Sequence, residues 1–425
     1  MPLYVRREFS NYMNGAFDWL PGGQQEMVDH VLNAPMPRGR GKLVFRSPPV
    51  HLDKAEVDGK RHIVFTSYYP YPSLVKKSIL LRQTGRYYTT ILACCLREDS
   101  TPLSFFDQAY EVENYKELLH LLSFCAPWCV HAVIQPGIFG CIAIAAKKMS
   151  GIKTVIDIND TNLFIDHDPA SPECLVEQRI LQEADSFLHK MPKEAIHEMR
   201  DVWKVDTPDR RIWGLPYREI FTHCKNYSDG EPVEIVFAGG VIPYEIAKSR
   251  GYENHIFDPF IKKTAGEGRA KLTFLVNQNA RTMCWKEHKH YFDLERAYPG
   301  FSFRKGVPFF QLPGRLARFH FGVYYENCAK HSYNPKHFTY NMPSKIFSYL
   351  EGGLPILVHD RAAYARRLVV EHGIGLVYEF ERPERIPDLV KASDYDRLKS
   401  AVEEYRQKNE LSSALCTLEK AYGTT

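Results

Sequence analysis

The tetrapeptide Met342-Pro343-Ser344-Lys345 opens an apolar helical stretch, SKIFSYLEG, and collects three anion-binding devices in one place. Proline suits the first turn of a helix. The first backbone N–H groups of that turn have no acceptor within the helix. Lys345 adds an ammonium. Such a start can hold a phosphate; it can equally be a capped surface helix with a solvated lysine. Gly239 and Gly240 close the run VEIVFAGG, where backbone can approach a ligand or simply turn. Asp157 and Asp160, in DINDTN, close another apolar run. A carboxylate there can take the proton of an attacking hydroxyl, or it can cap the segment that follows. Asp160 is the better placed of the two, because Asp157 alternates with the isoleucines of the run. Asp166, His167 and Asp168 lie just beyond and read as loop residues.

The elements that would carry these groups follow from the apolar pattern. HIVFTS (62–67), YYTTILACCL (87–96), HAVIQPG (131–137), KTVIDIND (153–160) and DSFLHK (185–190) are short apolar runs of the kind found in parallel strands buried on both faces. Helical stretches separate them, at 73–84, 116–124, 138–149 and 172–184. The pattern then restarts with VEIVFAG (233–239), KLTFLV (271–276), FSFRKGV (301–307), FHFGVYY (319–325), PILVHD (355–360) and GIGLVYEF (373–380). Strands alternating with helices in two series imply an α/β chain of two doubly wound parallel sheets. The expected division is an irregular N-terminal extension at 1–60, a first domain at 61–225, and a second at 226–400. The C-terminal segment from Tyr395 to Ala421 is expected to be mostly helical and charged.

Composition narrows the class. The chain has 425 residues, too many for one core, so two domains are the default. Lys and Arg exceed Asp and Glu by only four, which gives no polyelectrolyte case for nucleic acid. Ten cysteines at this length are no disulfide scaffold. Cys125 and Cys129 miss the Cys-x-x-Cys spacing, and no cluster has convincing zinc spacing. No apolar run approaches bilayer length, and the first residues lack a secretory h-region. The expectation is a cytoplasmic protein, with peripheral contact on the inner face of a membrane left open. The basic cluster Arg38, Arg40, Lys42 and Arg46 can touch phosphate or stay solvated. Aromatic residues are unusually frequent, at 13% of the chain; many fall in strand runs such as FHFGVYY, and others gather at Tyr68 to Tyr71 and Phe338 to Tyr340.

The segment YNMPSKIFSYLEGGLPILVHD (340–360) resembles the donor-binding signature of the GT-B glycosyltransferases. Other pieces resemble that family in the expected order: HIVFTSYYPYPS, IKTVIDINDTNLF, EQRILQEADSFL, RIWGLPYREIF, VEIVFAGGV and FRKGVPFFQLPGRLARFHFGVYY. The series covers roughly 62–420 and is similar to glycosyltransferase family 4, in a divergent version with a Ser-Lys donor-phosphate motif, like the xanthan glucuronosyltransferase type. The resemblance implies a GT-B fold, two Rossmann-like domains facing a central cleft, with a C-terminal helix at 401–425 packing back on the first domain. It implies transfer of a sugar from a UDP- or GDP-sugar to a hydroxyl of a glycan, glycolipid or other acceptor, with no metal and no tightly bound cofactor.

It also implies roles for residues. Pro343, Ser344 and Lys345 would meet the diphosphate, with Gly239 and Gly240 beside it. Asn277, Gln278, Gly306, Glu326 and His331 would touch base, ribose or sugar. Asp160 or Asp157 would be the base of an inverting reaction. Tyr68, Tyr69 and Tyr71 would stack on the acceptor, and Lys76 and Lys77 would meet its phosphate or a membrane surface; packing tyrosines and solvated lysines are the alternative. Departures leave the anomeric outcome open. The Glu-x7-Glu pair of many retaining members falls on Tyr340 and Ser348, and after Gly240 the nearest cations are Lys248 and Arg250. A sugar-nucleotide epimerase or hydrolase would turn over donor without acceptor. A degenerate scaffold would have no use for Lys345.

Overall fold

The computed structural model describes residues 17, 19–20, 25, 51–96, 103–124, 126–134, 137–212, 215–276, 285–328 and 334–423. The basic cluster at 38–46, Cys125, Asn277, Gln278 and His331 lie outside them. So does most of the expected N-terminal extension.

The chain forms two compact units, 1–213 with 414–425, and 214–413. The first holds a sheet of β1 (Glu56–Val57), β2 (Lys60–Ser67), β3 (Tyr87–Ala93), β4 (Gln108–Glu111), β5 (Cys129–Val133), β6 (Thr154–Ile158), β7 (Ser186–His189) and β8 (Asp209–Arg211). The strand order is β4-β3-β2-β5-β6-β7-β8, with β1 pairing antiparallel to β2 and every other pairing parallel. Helices cover both faces of such a sheet, which is why β5, β6 and β7 are buried at every position. Helix Ile138–Ser150 is apolar almost throughout, buries Ile138 to Ala146, and stops at Gly151, whose φ of 70° few other residues adopt cheaply. Helix Lys193–Trp203 and strand β8 extend the expected series. The helix carries its stripe on Ala195, Ile196, Met199 and Trp203.

The second unit holds β9 (Val233–Gly239), β10 (Ala270–Val276), β11 (Phe301–Lys305), β12 (Phe321–Tyr324), β13 (Ile356–His359) and β14 (Gly375–Tyr378), all parallel, in the order β11-β10-β9-β12-β13-β14. Both sheets reverse direction of winding next to their first long strand. In open sheets of this kind a ligand crevice lies outside the carboxyl ends of the strands at that point, here the ends of β9 and β12.

Tyr349, on helix Lys345–Glu351, braces that point from below. Its hydroxyl accepts from Ala238 N (3.0 Å) and donates to Val323 O (2.8 Å), bridging β9 and β12. The ring lies on Gly322, where a Cβ would come within 2.2 Å of it. Gly322→Ala is expected to cost about 1–3 kcal/mol through overpacking, read as a lower urea midpoint at unchanged slope.

The exchange between units differs from expectation at both crossings. Residues 215–225 belong to the second unit because their backbone bonds there: Tyr217 N to the Glu351 carboxylate (2.9 Å), Thr222 N to Glu351 O (2.9 Å) and Lys225 N to Ala317 O (3.0 Å). Helix Tyr395–Lys408 also stays with the second unit. Its Arg406 is buried and donates to the carbonyls of Thr222 (2.6 Å), Leu350 (3.2 Å) and Glu351 (3.3 Å), a cation at a helix C-terminus. The return to the first unit begins at Ala414, not at 401. There helix Leu415–Tyr422 is held by Tyr87 Oη donating to Glu419 (2.8 Å), Ser186 Oγ donating to Ala421 O (2.7 Å), and a Tyr422 Oη–His131 Nδ1 bond (2.7 Å).

Candidate functional site

The carboxyl edge of the second sheet brings the expected donor residues together. β9 ends at Gly239, and Lys345, at the start of its helix, lays its side chain over that end. The Lys345 ammonium sits 4.3 Å from the centre of the Phe237 ring and 5.3 Å from that of Tyr324, the last residue of β12. A Cβ on Gly239 would meet Lys345 Cε and the Phe237 ring at 3.5 Å, ordinary contact distances, and its φ is not left-handed. Among the described residues nothing thus requires glycine at 239; a close-lying ligand would. Pro343 is buried, Ser344 is exposed at the cap position, and Ile346 N donates to Pro343 O (3.1 Å) as the first turn closes. Gly240 is exposed just after β9. Gly306 prolongs the β10–β11 edge, with its N–H on Val276 O (2.9 Å).

Glu326, two residues past β12, supplies a carboxylate to this place, with its side chain 18% exposed. It pairs with His337 Nε2 at 3.5 Å, and the Asn341 side-chain amide lies 3.2 Å from the same nitrogen. Burial opposes ionisation of Glu326, but His337, Lys345 and His255 outweigh it and hold the carboxyl down at about 2. Tyr340 and Ser348, the positions where the family resemblance places the glutamates of many retaining members, carry no carboxylate. The carboxylate at this sheet edge lies in the loop after β12. His337, Asn341, His255 and His359 were not singled out from sequence. They are spread from residue 255 to residue 359, and only the strand order of the second sheet relates them.

The first unit departs more from expectation. Asp157 is no free base: it is buried, its carboxylate pairs with Lys77, and its Oδ2 lies 3.2 Å from His131 Nε2. Burial alone would raise its pKa, but Lys77 and His131 hold it far below the ordinary carboxylate range. Lys77 is thereby spent within the core, and Lys76 is buried too, so neither presents a solvated charge to a phosphate or a membrane. The cause is the helix Pro72–Gln83, which lies on the sheet and buries its whole middle from Leu74 to Leu81. Tyr68 is likewise a core residue, 2% exposed. Tyr69 and Tyr71 remain half-buried, with ring centres 4.0 Å apart.

Asp160 does stand at the carboxyl end of β6, half-exposed, 3.1 Å from the Lys190 ammonium beyond β7. Behind it Glu177 is buried and accepts from Asn162 N (2.9 Å); burial pushes its carboxyl up to about 7. Asp166 and Asp168 have loop duties, accepting from Ser171 Oγ and Ala170 N at 2.8 Å. Among the described residues no group of three His, Cys, Asp or Glu side chains could hold a metal, and no helix is long and apolar enough to cross a membrane.

Comparison with known proteins agrees with the fold. Residues 269–412 match the family described as glucosyltransferase 3-like, C-terminal domain, a stretch that contains Glu326, His337 and Lys345. HepE from Anabaena, solved with UDP-glucose, is similar over 86% of this chain and 100% of its own, at 9% identity and a TM-score of 0.60. The E. coli trehalose-6-phosphate protein bound with UDP-2-fluoro glucose is similar over 85% and 99%, at 8% identity and 0.58. Trehalose 6-phosphate synthase from Burkholderia multivorans is similar over 86% and 98%, at 11% identity and 0.55. No curated protein matches the sequence. The architecture is that of the GT-B glycosyltransferases, two parallel-sheet α/β units.

Proposed function

We propose that this chain is a glycosyltransferase that moves a sugar from a nucleoside-diphosphate sugar, of the UDP class, to an acceptor hydroxyl. The observation that carries the reading is Lys345: an ammonium laid over the end of β9, beside a glycine that no described residue crowds, at the switch point of the second sheet. Glycosyl transfer leaves a nucleoside diphosphate with added negative charge. A cation already in place, next to backbone N–H groups, stabilises that charge without reorganising at the moment of reaction. The match at 269–412 and the UDP-sugar complexes of similar folds support the same donor class.

In this reading the second unit binds donor through Gly239, Gly240, Ser344 and Lys345, with Glu326 nearby for a sugar hydroxyl. The first unit takes the acceptor beside the Tyr69–Tyr71 pair. Asp160 is the proposed base, since Asp157 is already occupied by Lys77. A thermal-shift panel of nucleotide sugars tests the reading. A ligand at one hundred times its Kd should raise the melting temperature by about 5–10 °C. If no nucleotide sugar and no nucleoside diphosphate moves it, the reading is wrong.

A further inference from the structure

Of the groups around Lys345, His359 has the least to do in the protein by itself. It ends β13, is 0% exposed, and neither ring nitrogen has a hydrogen-bond partner among the described residues. Its ring stacks on Tyr324, centres 5.3 Å apart at 23°, so Lys345 and His359 share contact with one tyrosine. Tyr325, Tyr378 and Phe380 enclose the rest of the ring. A neutral imidazole carries one N–H donor and one acceptor, and burying both unmade costs free energy that a phenylalanine in the same cage would avoid. Two more imidazoles stand near. His337 contacts Glu326, and His255, half-buried, lies within electrostatic reach of Glu326, Lys345 and His337. The charged groups facing His359 are Glu326 and Lys345 from other elements, and Asp360 and Arg361 from its own loop.

We infer that this cluster is a proton-coupled anion site, in which His359 and His255 are binding residues that take a proton from solvent when a diphosphate settles on Lys345. The inference rests on the nucleotide-sugar reading and adds to it the residues and the linkage. In the free protein burial holds both imidazoles down at about 4, so they are neutral at pH 7. Two negative charges arriving in the same desolvated place favour the imidazolium and raise those values. The complex then binds more protons than its parts, so affinity rises as pH falls, between about 4 and the raised value in the complex. Each imidazolium gains a second N–H donor.

Isothermal titration with UDP-glucose decides the matter. Its diphosphate is esterified at both ends and has no proton to exchange near neutrality, so any exchanged proton belongs to the protein. Run at pH 7 in two buffers of different ionisation enthalpy, the heats should differ by a net uptake. Affinity should strengthen from pH 8 to pH 6, by up to about tenfold per unit for each full proton. His359→Phe keeps the stack on Tyr324 and should reduce the uptake, as should His255→Asn; His359→Gln serves if the phenylalanine variant melts early. Tight binding with equal heats and a flat pH profile would overturn the inference and leave the donor reading standing. Undiminished uptake in all three variants would overturn it too. Failure of UDP-glucose, GDP-mannose and ADP-glucose alike to bind would overturn both.

Discussion

Lys345→Ala is expected to weaken UDP-glucose binding by about 10–100-fold, the worth of a charge-assisted contact of about 1.5–3 kcal/mol. Turnover should fall further, by about 10²–10³, because charge on the departing diphosphate is greatest in the transition state and the ammonium acts most strongly there. The fold should survive. The side chain is half-buried, and its stem rests on Gly239 and Phe237 rather than filling the core. Titration calorimetry gives the first number and steady-state kinetics the second, with a melting curve as control. Lys345→Arg should recover only part, since a planar guanidinium cannot occupy the place of a compact ammonium held between two ring faces. Unchanged affinity in the alanine variant would remove the central support of the proposed function.

Asp157→Asn is expected to strike stability instead, by about 3–5 kcal/mol in urea unfolding, because it strands the buried Lys77 ammonium. The sign with pH follows from the depressed carboxyl. Its folded value lies below the unfolded one of about 3.9. The stabilisation is therefore complete above that unfolded value and is lost as pH falls through the folded one. The variant should lack this acid-side component. The paired change Lys77→Met with Asp157→Leu should recover much of the loss, since a buried ion pair can be exchanged for apolar residues at little cost. His131 limits the recovery: it would keep Tyr422 on Nδ1 but lose its carboxylate on Nε2. A folded, stable and inactive Asp157→Asn protein would return Asp157 to the catalytic candidates.

The two aspartates show where reading along the chain stops. Both stand near the end of the same apolar run, and alternation with the isoleucines favoured Asp160 over Asp157 as a base; β6 is buried at every position, Asp157 included, and Asp160 lies just past its end. Alternation cannot say what Asp157 meets inside. Lys77 comes from a helix 80 residues earlier, and a lysine in a helix reads as a solvated charge unless the whole face is known to be covered. The donor side was more legible because its chemistry is local. Pro343, Ser344 and Lys345 are consecutive, and a strand ending in glycine is visible without any partner. Glu326 could be found by position after its strand. The histidines could not, because nothing between residues 255 and 359 predicts that a short turn, a helix and a strand end meet.

By itself the sequence determined the class of fold. Short runs apolar on both faces, alternating with helices, have few stable arrangements other than covered parallel sheets. It also determined the presence of a lysine at a helix start, since caps and prolines act within one turn. The tertiary structure alone decided which charges are spent on the core. It paired Lys77 with Asp157, and it gathered His255, His337 and His359 around Glu326 and Lys345. Strand order is the reason. It carries residues distant in the chain to one sheet edge, and burial there, rather than residue type, sets which ionisable groups carry charge.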